Sequence, residues 1–362
     1  MNKFSIGDRV SHIDEAISGT VIKIDGSQIV LVTGDGFEMQ FFEKDLVFQP
    51  DSFAKEVSFT INKFTWVIAK TRGDNLVQGF SPDFASHLPP TRHVKLKNIQ
   101  GHEIVVASLK GLRFSKGIDM YLASDVEPNS GLGASSSLTS NLVNVISAIQ
   151  QKRNSKSNIA MKAYHIGHDV LNWGIGKQDE FAAVYGGLNS YKYSKNKVTV
   201  SRININKNSA RELEKNSLLF RLGNRKHSVN ILKKQIKNIN ESNNKTLNAL
   251  HDAKNLAMDM RDALKENDLG KFGELLNKGW EIKKQYASGI TNTRIDRVSK
   301  KAFDSGAISL KVTGAGGGGH LFVYAEPKKH KNLESNLKKL GVTRVHFSYH
   351  NAGATVFNIN NL

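Results

Sequence analysis

The chain has 362 residues, no cysteine, and 51 Lys and Arg against 33 Asp and Glu, a formal net charge of +18. This length can bury a proper core and two or three domains, and the lack of cysteine excludes a disulfide framework and a thiolate metal site. No apolar run approaches a membrane span, and Met1-Asn2-Lys3-Phe4-Ser5 does not begin a signal peptide, so a cytoplasmic protein with no membrane partner is expected. The positive excess would suit nucleic acid, an anionic surface or phosphorylated substrates. It gathers at Lys207, Arg211, Lys215, Arg221, Arg225, Lys226, Lys233, Lys234 and Lys237, and again at Lys328, Lys329, Lys331, Lys338 and Lys339. Such runs are usually solvated faces. No aromatic residues interleave with them as single-stranded RNA binding requires, which disfavours nucleic acid.

Residues 1–49 read as a separate unit. Asp8-Arg9-Val10, Gly19 to Ile24, Gln28 to Val32 and Glu38 to Phe42 are short strand candidates, with Asp25-Gly26 and Asp35-Gly36 as turn signals. The pattern suggests a small β-barrel similar to Tudor or KOW modules, for which a protein or peptide partner is an open expectation. Pro50-Asp51-Ser52 looks like a junction. Thr60 to Lys70 reads as a strand, and Pro82 to Pro90, ending Pro89-Pro90, as a loop.

Ile118, Met120, Leu122, Ser124 and Val126 then alternate with Asp119, Tyr121, Ala123 and Asp125, the period of a strand, and Leu138, Leu142, Val145, Ile146 and Ile149 recur at helical spacing. Between them runs Pro128-Asn129-Ser130-Gly131-Leu132-Gly133-Ala134-Ser135-Ser136-Ser137. Gly131 and Gly133 let backbone amides approach an anion, and the following helix start adds unpaired N–H groups and positive dipole. Ser135, Ser136 and Ser137 offer hydroxyls to phosphate or magnesium. The run is a phosphate cradle but not a Walker A loop, since no Gly-Lys-Ser/Thr follows. A serine-capped helix after a tight turn is the plainer reading of this loop alone.

Further on, Lys197 to Ile205 alternates as a strand, and residues 228–267 are helical in pattern. A second glycine-rich turn, Thr313-Gly314-Ala315-Gly316-Gly317-Gly318-Gly319-His320, joins two apolar runs. So much glycine costs conformational entropy, and close packing against a ligand or another loop would explain it. A helix over Lys328 to Leu340 and strands at Arg344 to Tyr349 and Thr355 to Ile359 close the chain. Helices mixed with antiparallel strands indicate α+β. His165, His168 and His320 have no metal-ligand companions and read as satisfied or exposed side chains.

The two glycine motifs, in this order, resemble the GHMP kinase superfamily. A third segment, Gly174-Ile175-Gly176-Lys177-Gln178-Asp179-Glu180-Phe181-Ala182-Ala183-Val184-Tyr185-Gly186-Gly187-Leu188, is similar to the G-K-Q-D-Q-Y-A-A-A-Y-G-G run of the D-glycero-D-manno-heptose 7-phosphate kinases. The resemblance covers about Phe59 to Phe357. It implies a GHMP kinase fold after the small barrel, with a ribosomal-S5-like ATP-binding half over 56–205 and a ferredoxin-like half over 206–362. It implies ATP and Mg2+ as cofactors, and a sugar or sugar-phosphate hydroxyl as acceptor, most like heptose 7-phosphate at its anomeric position. A homodimer stays open.

By the same resemblance, the nucleotide sits on Pro128, Ser130, Gly131, Leu132, Gly133, Ala134, Ser135, Ser136 and Ser137, with Gly314, Gly316 and Gly317 closing over it. Ser135 aligns with the magnesium serine, Ser136 being the alternative one residue on, and Asp179 with the catalytic aspartate. Basic residues near Lys226 and at Lys283 or Lys284 would meet a sugar phosphate, or are exposed helix lysines. Three departures stand out. The family's opening R-T-P-L-R-I-S-F-x-G-G-G-T-D has no counterpart before Thr60; Gly167 occupies the place of the metal-binding glutamate; and Val106-Ala107-Ser108-Leu109 and Leu222-Gly223-Asn224-Arg225-Lys226 replace charged family motifs. The alternative they raise is a catalytically impaired relative that binds nucleotide or carbohydrate as a regulatory protein.

Overall fold

The computed structural model describes residues 3–13, 15, 17–33, 36–48, 55–96, 100–194, 197–223, 228–241 and 243–358. The expected junction at Pro50-Asp51-Ser52, Asp35 of the second turn signal, and Asn224, Arg225 and Lys226 lie outside the described residues. The first strands are β1 (Arg9–His12), β2 (Ser18–Asp25), β3 (Gln28–Thr33), β4 (Glu38–Phe42) and β5 (Leu46–Phe48). They pair in the order β4-β3-β2-β1-β5. Alternate residues Val21, Ile29 and Leu31 point inward with Phe4, Val10 and Leu46 to form a separate small core. Gly26, at φ 60°, makes the two-residue turn before Gln28. Among the described residues no pairing joins β4 to β5, so the expected small barrel is seen as an open antiparallel sheet.

The next unit comprises β6 (Lys55–Ser58), β7 (Thr65–Thr71), β8 (Leu76–Ser81), β9 (Ser86–Arg92), α1 (Glu103–Gly111), β10 (Ile118–Ser124), α2 (Ala134–Ile149), α3 (Lys156–His165), α4 (Gln178–Tyr185), β11 (Asn189–Tyr193) and β12 (Val198–Arg202). Two sheets form, β7-β10-β8-β9 and β12-β11-β6. The inward residues Val77, Ile118, Met120 and Leu122 of the first sheet pack on Val105, Val106 and Leu109 of α1 and on Leu142 and Ile146 of α2. The expected loop from Pro82 to Pro90 is corrected. Residues 82–84 make a 3-10 turn, and β9 carries Pro89-Pro90 on the sheet's edge strand at an irregularity in its register with β8, where missing ladder donors are tolerated.

The last unit holds α5 (Lys207–Asn216), β13 (Ser217–Gly223), α6 (Ser228–Asn240), α7 (Asn244–Lys265), α8 (Leu269–Lys283), α9 (Thr293–Asp304), β14 (Ser309–Val312), β15 (Gly319–Tyr324), α10 (His330–Lys338) and β16 (Thr343–Val345). Its antiparallel sheet runs β14-β15-β13-β16. Every residue of β15 is buried. Leu321 and Val323 enter a core with α9 and α10, while Phe322 and Tyr324 enter a second one with Phe272 and Leu276 of α8. A strand covered on both faces reads as a continuous apolar run, as this one does.

Two expected strands near the end are corrected. The first stops at Val345, and among the described residues Tyr349 makes β pairing only through an isolated bridge to Ile61, while its N–H donates to Glu214 Oε1 at 3.0 Å. Residues 355–358 form no strand, and Ile359 lies outside the described residues. Just before them the backbone lies against the end of α4 instead of a sheet: Ala354 N–H donates to Ala183 O at 3.0 Å, and a Cβ on Gly353 would stand 1.9 Å from Val184 O.

The small β domain docks on α7. Asp8, 6% exposed, accepts from Ser5 N at 2.8 Å and from Lys254 Nζ at 3.2 Å, with His251 Nε2 3.9 Å away. Separate cores on either side motivate the division into 1–49, 56–205 and 206–362, which we propose. Limited proteolysis is expected to cut between residues 49 and 55, releasing a small fragment on a denaturing gel and leaving the larger part folded. Resistance there, with unfolding of the remainder on truncation, would mean that the segment is built into the larger core.

Candidate active site

The loop from Pro128 to Ser137 follows β10 and opens α2. Gly131 and Gly133 sit at φ 79° and 74°, the left-handed region that glycine enters without penalty. Gly133 begins α2 with no side-chain cap, and no acidic residue stands in the helix's first turn. The first amides are therefore open to an anion, with the helix dipole behind them and no acidic residue of α2 itself opposing it. Ser130 is buried, and its carbonyl accepts from His320 Nδ1 at 2.9 Å. That bond ties the second glycine turn to the first across 190 residues.

Opposite the loop stands the first turn of α4. A Cβ built on Gly133 would lie 3.6, 3.7 and 3.8 Å from Cβ, Cγ and Oδ2 of Asp179, so the carboxylate directly faces the phosphate cradle. Its neighbour Glu180 is 2% exposed. Ser136 Oγ donates to Glu180 Oε1 at 2.8 Å, while the buried Oε2 has no hydrogen-bond partner. Burial, and then the charge of Asp179, push the Glu180 carboxyl up to about 7.

A third carboxylate comes from β6. Glu56 accepts from Tyr193 Oη at 3.0 Å and from Gln178 Nε2 at 2.5 Å. Burial, and then Asp179, push it up to about 8. Burial lowers the Lys311 ammonium of β14, against the pull of Glu56. For Glu56 the folded value lies above the ordinary 4.5. Between the two, the folded protein keeps a proton that the unfolded chain releases, so this group's contribution falls as pH rises through that window. Glu56→Gln should therefore melt higher relative to wild type at pH 8.5, with the gain shrinking toward pH 5. A gain in melting temperature independent of pH would show that Glu56 titrates normally.

These groups line a cleft of about 2330 Å³ between the two large units, together with Gly131, Leu132, Ser137, Lys283 and Gly314. Its size exceeds what one small ligand needs and leaves room for a nucleotide and an acceptor side by side. The loop serines divide. Ser136 meets Glu180, Ser137 Oγ lies 2.8 Å from Thr65 Oγ1, and Ser135 is exposed and does not line the cleft.

The later glycines divide too. Gly314 reaches the cleft, and its carbonyl accepts from Lys283. Gly316 and Gly317 turn toward Ile290 and Ile231, with Gly317 N–H donating to Ile290 O at 2.8 Å. Lys284 pairs with Glu281 at 2.5 Å. His165 and His168 both bond Asp169 at 2.6 Å, and among the described residues no three His, Asp or Glu side chains are grouped to hold a metal. Gly167 is buried in a π-turn over Ile166–Val170, and a Cβ there would meet Ile175 Cδ1 at 2.5 Å. Ile175 fills the space through which a side chain from position 167 would reach out.

Glu56, Glu180 and Lys311 were not legible as site residues in the sequence. Glu180 had one available signal, its place directly after Asp179 in a polar run. Glu56 lies 122 residues from its partner Gln178, and only the fold joins them.

Comparison with known proteins bears on the family and the fold. Family models match residues 102–187 ("GHMP kinases N terminal domain"), 260–343 ("GHMP kinases C terminal") and 9–58 ("Domain of unknown function (DUF8465)"). A D-glycero-alpha-D-manno-heptose 7-phosphate kinase from Campylobacter jejuni is 34% identical over 253 residues, covering 67% of this chain and 70% of that protein. A D-glycero-D-manno-heptose 1-phosphate kinase from Bacteroides thetaiotaomicron has a similar structure, with TM-score 0.66 and 21% identity over 84% of this chain and 91% of its own. The Lactococcus lactis galactokinase solved with galactose superposes with TM-score 0.69 and 16% identity, over 85% and 91%. These last two likenesses concern the fold, and the 34% relative concerns descent. With the matched family models and the 34% identical relative in hand, this chain belongs to the GHMP kinases.

Proposed function

We propose that the protein transfers the terminal phosphoryl group of ATP to a hydroxyl of a sugar or sugar phosphate, a heptose 7-phosphate at its anomeric position being the leading acceptor. The observation that carries the reading is the facing of Gly133 and Asp179. A triphosphate held by the loop amides would put its terminal group beside a carboxylate able to orient and deprotonate an acceptor. Lys177, Lys283 and Lys311 on the cleft wall add positive charge suited to a phosphorylated acceptor. A bound magnesium ion would neutralise phosphate oxygens. The residues present fit such an ion, because the serine hydroxyls at the helix start and the unpartnered oxygen of Glu180 are hard oxygen donors, and magnesium takes its other ligands from phosphate and water.

The test is a nucleotide-dependent thermal shift followed by ADP release against a panel of heptose 7-phosphates, galactose and fucose. Stabilisation by ATP and turnover with a sugar phosphate is the expected result. Gly167 beneath Ile175 favours a second reading, a nucleotide- or carbohydrate-binding regulatory protein. Stabilisation without turnover on any acceptor would decide for that reading, and stabilisation by neither ATP nor any sugar of the panel would overturn both.

A further inference from the structure

One carboxylate of the site is better buried and worse satisfied than its surroundings require. Glu180 is 2% exposed, yet only Oε1 has a partner, the Ser136 hydroxyl at 2.8 Å. Oε2 is buried with none. A glutamine would keep the bond to Ser136 and avoid burying a charge, and the heptose kinase run G-K-Q-D-Q-Y has glutamine at this place. The chain instead carries a carboxylate there, and lacks one at Gly167, where Ile175 closes off the route into the cleft. Both differences concern the same resource, a negative oxygen next to the phosphate loop. Burying an unpaired carboxylate is costly unless a cation or donor completes it.

We propose that Ser136 and Glu180 form the divalent-cation site of this protein, the metal carboxylate having moved from position 167 to position 180. The assignment rests on the kinase reading. It differs from what the aligned motif implies in both ligands: the serine is Ser136, which lines the cleft and whose hydroxyl is bonded to Glu180, and the carboxylate comes from α4 beside Asp179. The two side chains meet from different elements, at the start of α2 and in the first turn of α4, so a cation between them would also lock the phosphate loop onto the helix that carries the acceptor-facing aspartate. Hard oxygen ligands of this kind suit Mg2+ or Mn2+ completed by phosphate oxygens and water.

The test uses the full chain, Mn2+ as the cation and the β,γ-imido analogue of ATP as the nucleotide, with affinity measured calorimetrically in Mn2+ and in chelator. In the wild type Mn2+ should tighten the analogue strongly. Glu180→Gln should shrink that gain about 10- to 100-fold, and should bind the analogue as well or better in chelator, because a repelling carboxylate has been removed. Retained binding in chelator also reports that the variant is folded. Ser136→Ala gives a second measure should Glu180→Gln be unstable, and its Mn2+ gain should fall in the same direction. An undiminished Mn2+ gain in a folded Glu180→Gln, or in Ser136→Ala if the first variant does not fold, overturns the assignment and leaves the kinase reading standing. A wild type that binds the analogue in neither condition overturns both.

Discussion

Replacing Asp179 by asparagine is expected to lower phosphoryl transfer about 10²- to 10⁴-fold, the range associated with loss of a positioned acid–base group, while nucleotide binding is kept. The carboxylate lies in the first turn of α4 and faces Gly133, on which a built Cβ would stand 3.7 Å from its Cγ. Asparagine keeps the shape but cannot accept the acceptor's proton. The same change removes a charge that helps push Glu56 and Glu180 upward, so both should titrate lower in the variant. Single-turnover ADP formation measures the first effect, and the pH dependence of thermal stability the second. Undiminished turnover would move the acceptor-facing role to another residue. An unchanged pH dependence would mean that Asp179 does not sense its neighbours.

Gly133→Val should abolish nucleotide-induced stabilisation while leaving the fold intact. Gly133 holds φ 74° at the start of α2, a conformation that β-branched residues avoid. Holding such a residue there costs about 1–3 kcal/mol. The loop would be expected to relax, and its amides would no longer converge. The branched side chain would also crowd Asp179, since a Cβ alone already stands 3.6 Å from it. The position lies outside the hydrophobic cores, so the melting temperature without nucleotide should fall only modestly. Gly133→Ala is the graded control, with about 1–2 kcal/mol of strain and a partial loss. Thermal shift with and without ATP reads all three proteins. A full nucleotide shift in folded Gly133→Val would place the nucleotide away from this loop.

Local chemistry was written plainly in the chain. The glycines, the serine-rich helix start and the alternation of β10 are short-range signals, and they put the strand, the glycine turn and the helix start where the structure has them. The apolar run of β15 and the helical periods of α7 were legible for the same reason, as burial imprints a period on neighbouring residues. Short-range signals failed where tertiary context overrode them. Pro89-Pro90 reads as a loop because proline lacks a ladder donor, yet β9 is an edge strand whose register with β8 shifts between Val77 and Gly79, so neither proline has a ladder partner. Residues 355–358 read as a strand, but the chain just before them spends its hydrogen bonding on the end of α4.

The sequence by itself determined the family and marked the glycine-serine loop and Asp179 as candidates, because each rests on residues adjacent in the chain. Only the tertiary structure decided which serine faces the cleft, which carboxylates gather around Asp179, and what became of position 167. Those are contacts between residues far apart in sequence. Glu56 meets Tyr193 because β6 pairs with β11 and meets Gln178 from the start of α4, and Ser136 meets Glu180 because α2 packs on α4. The electrostatic character of each group follows from burial and the neighbouring charge, quantities that exist only once the chain has folded.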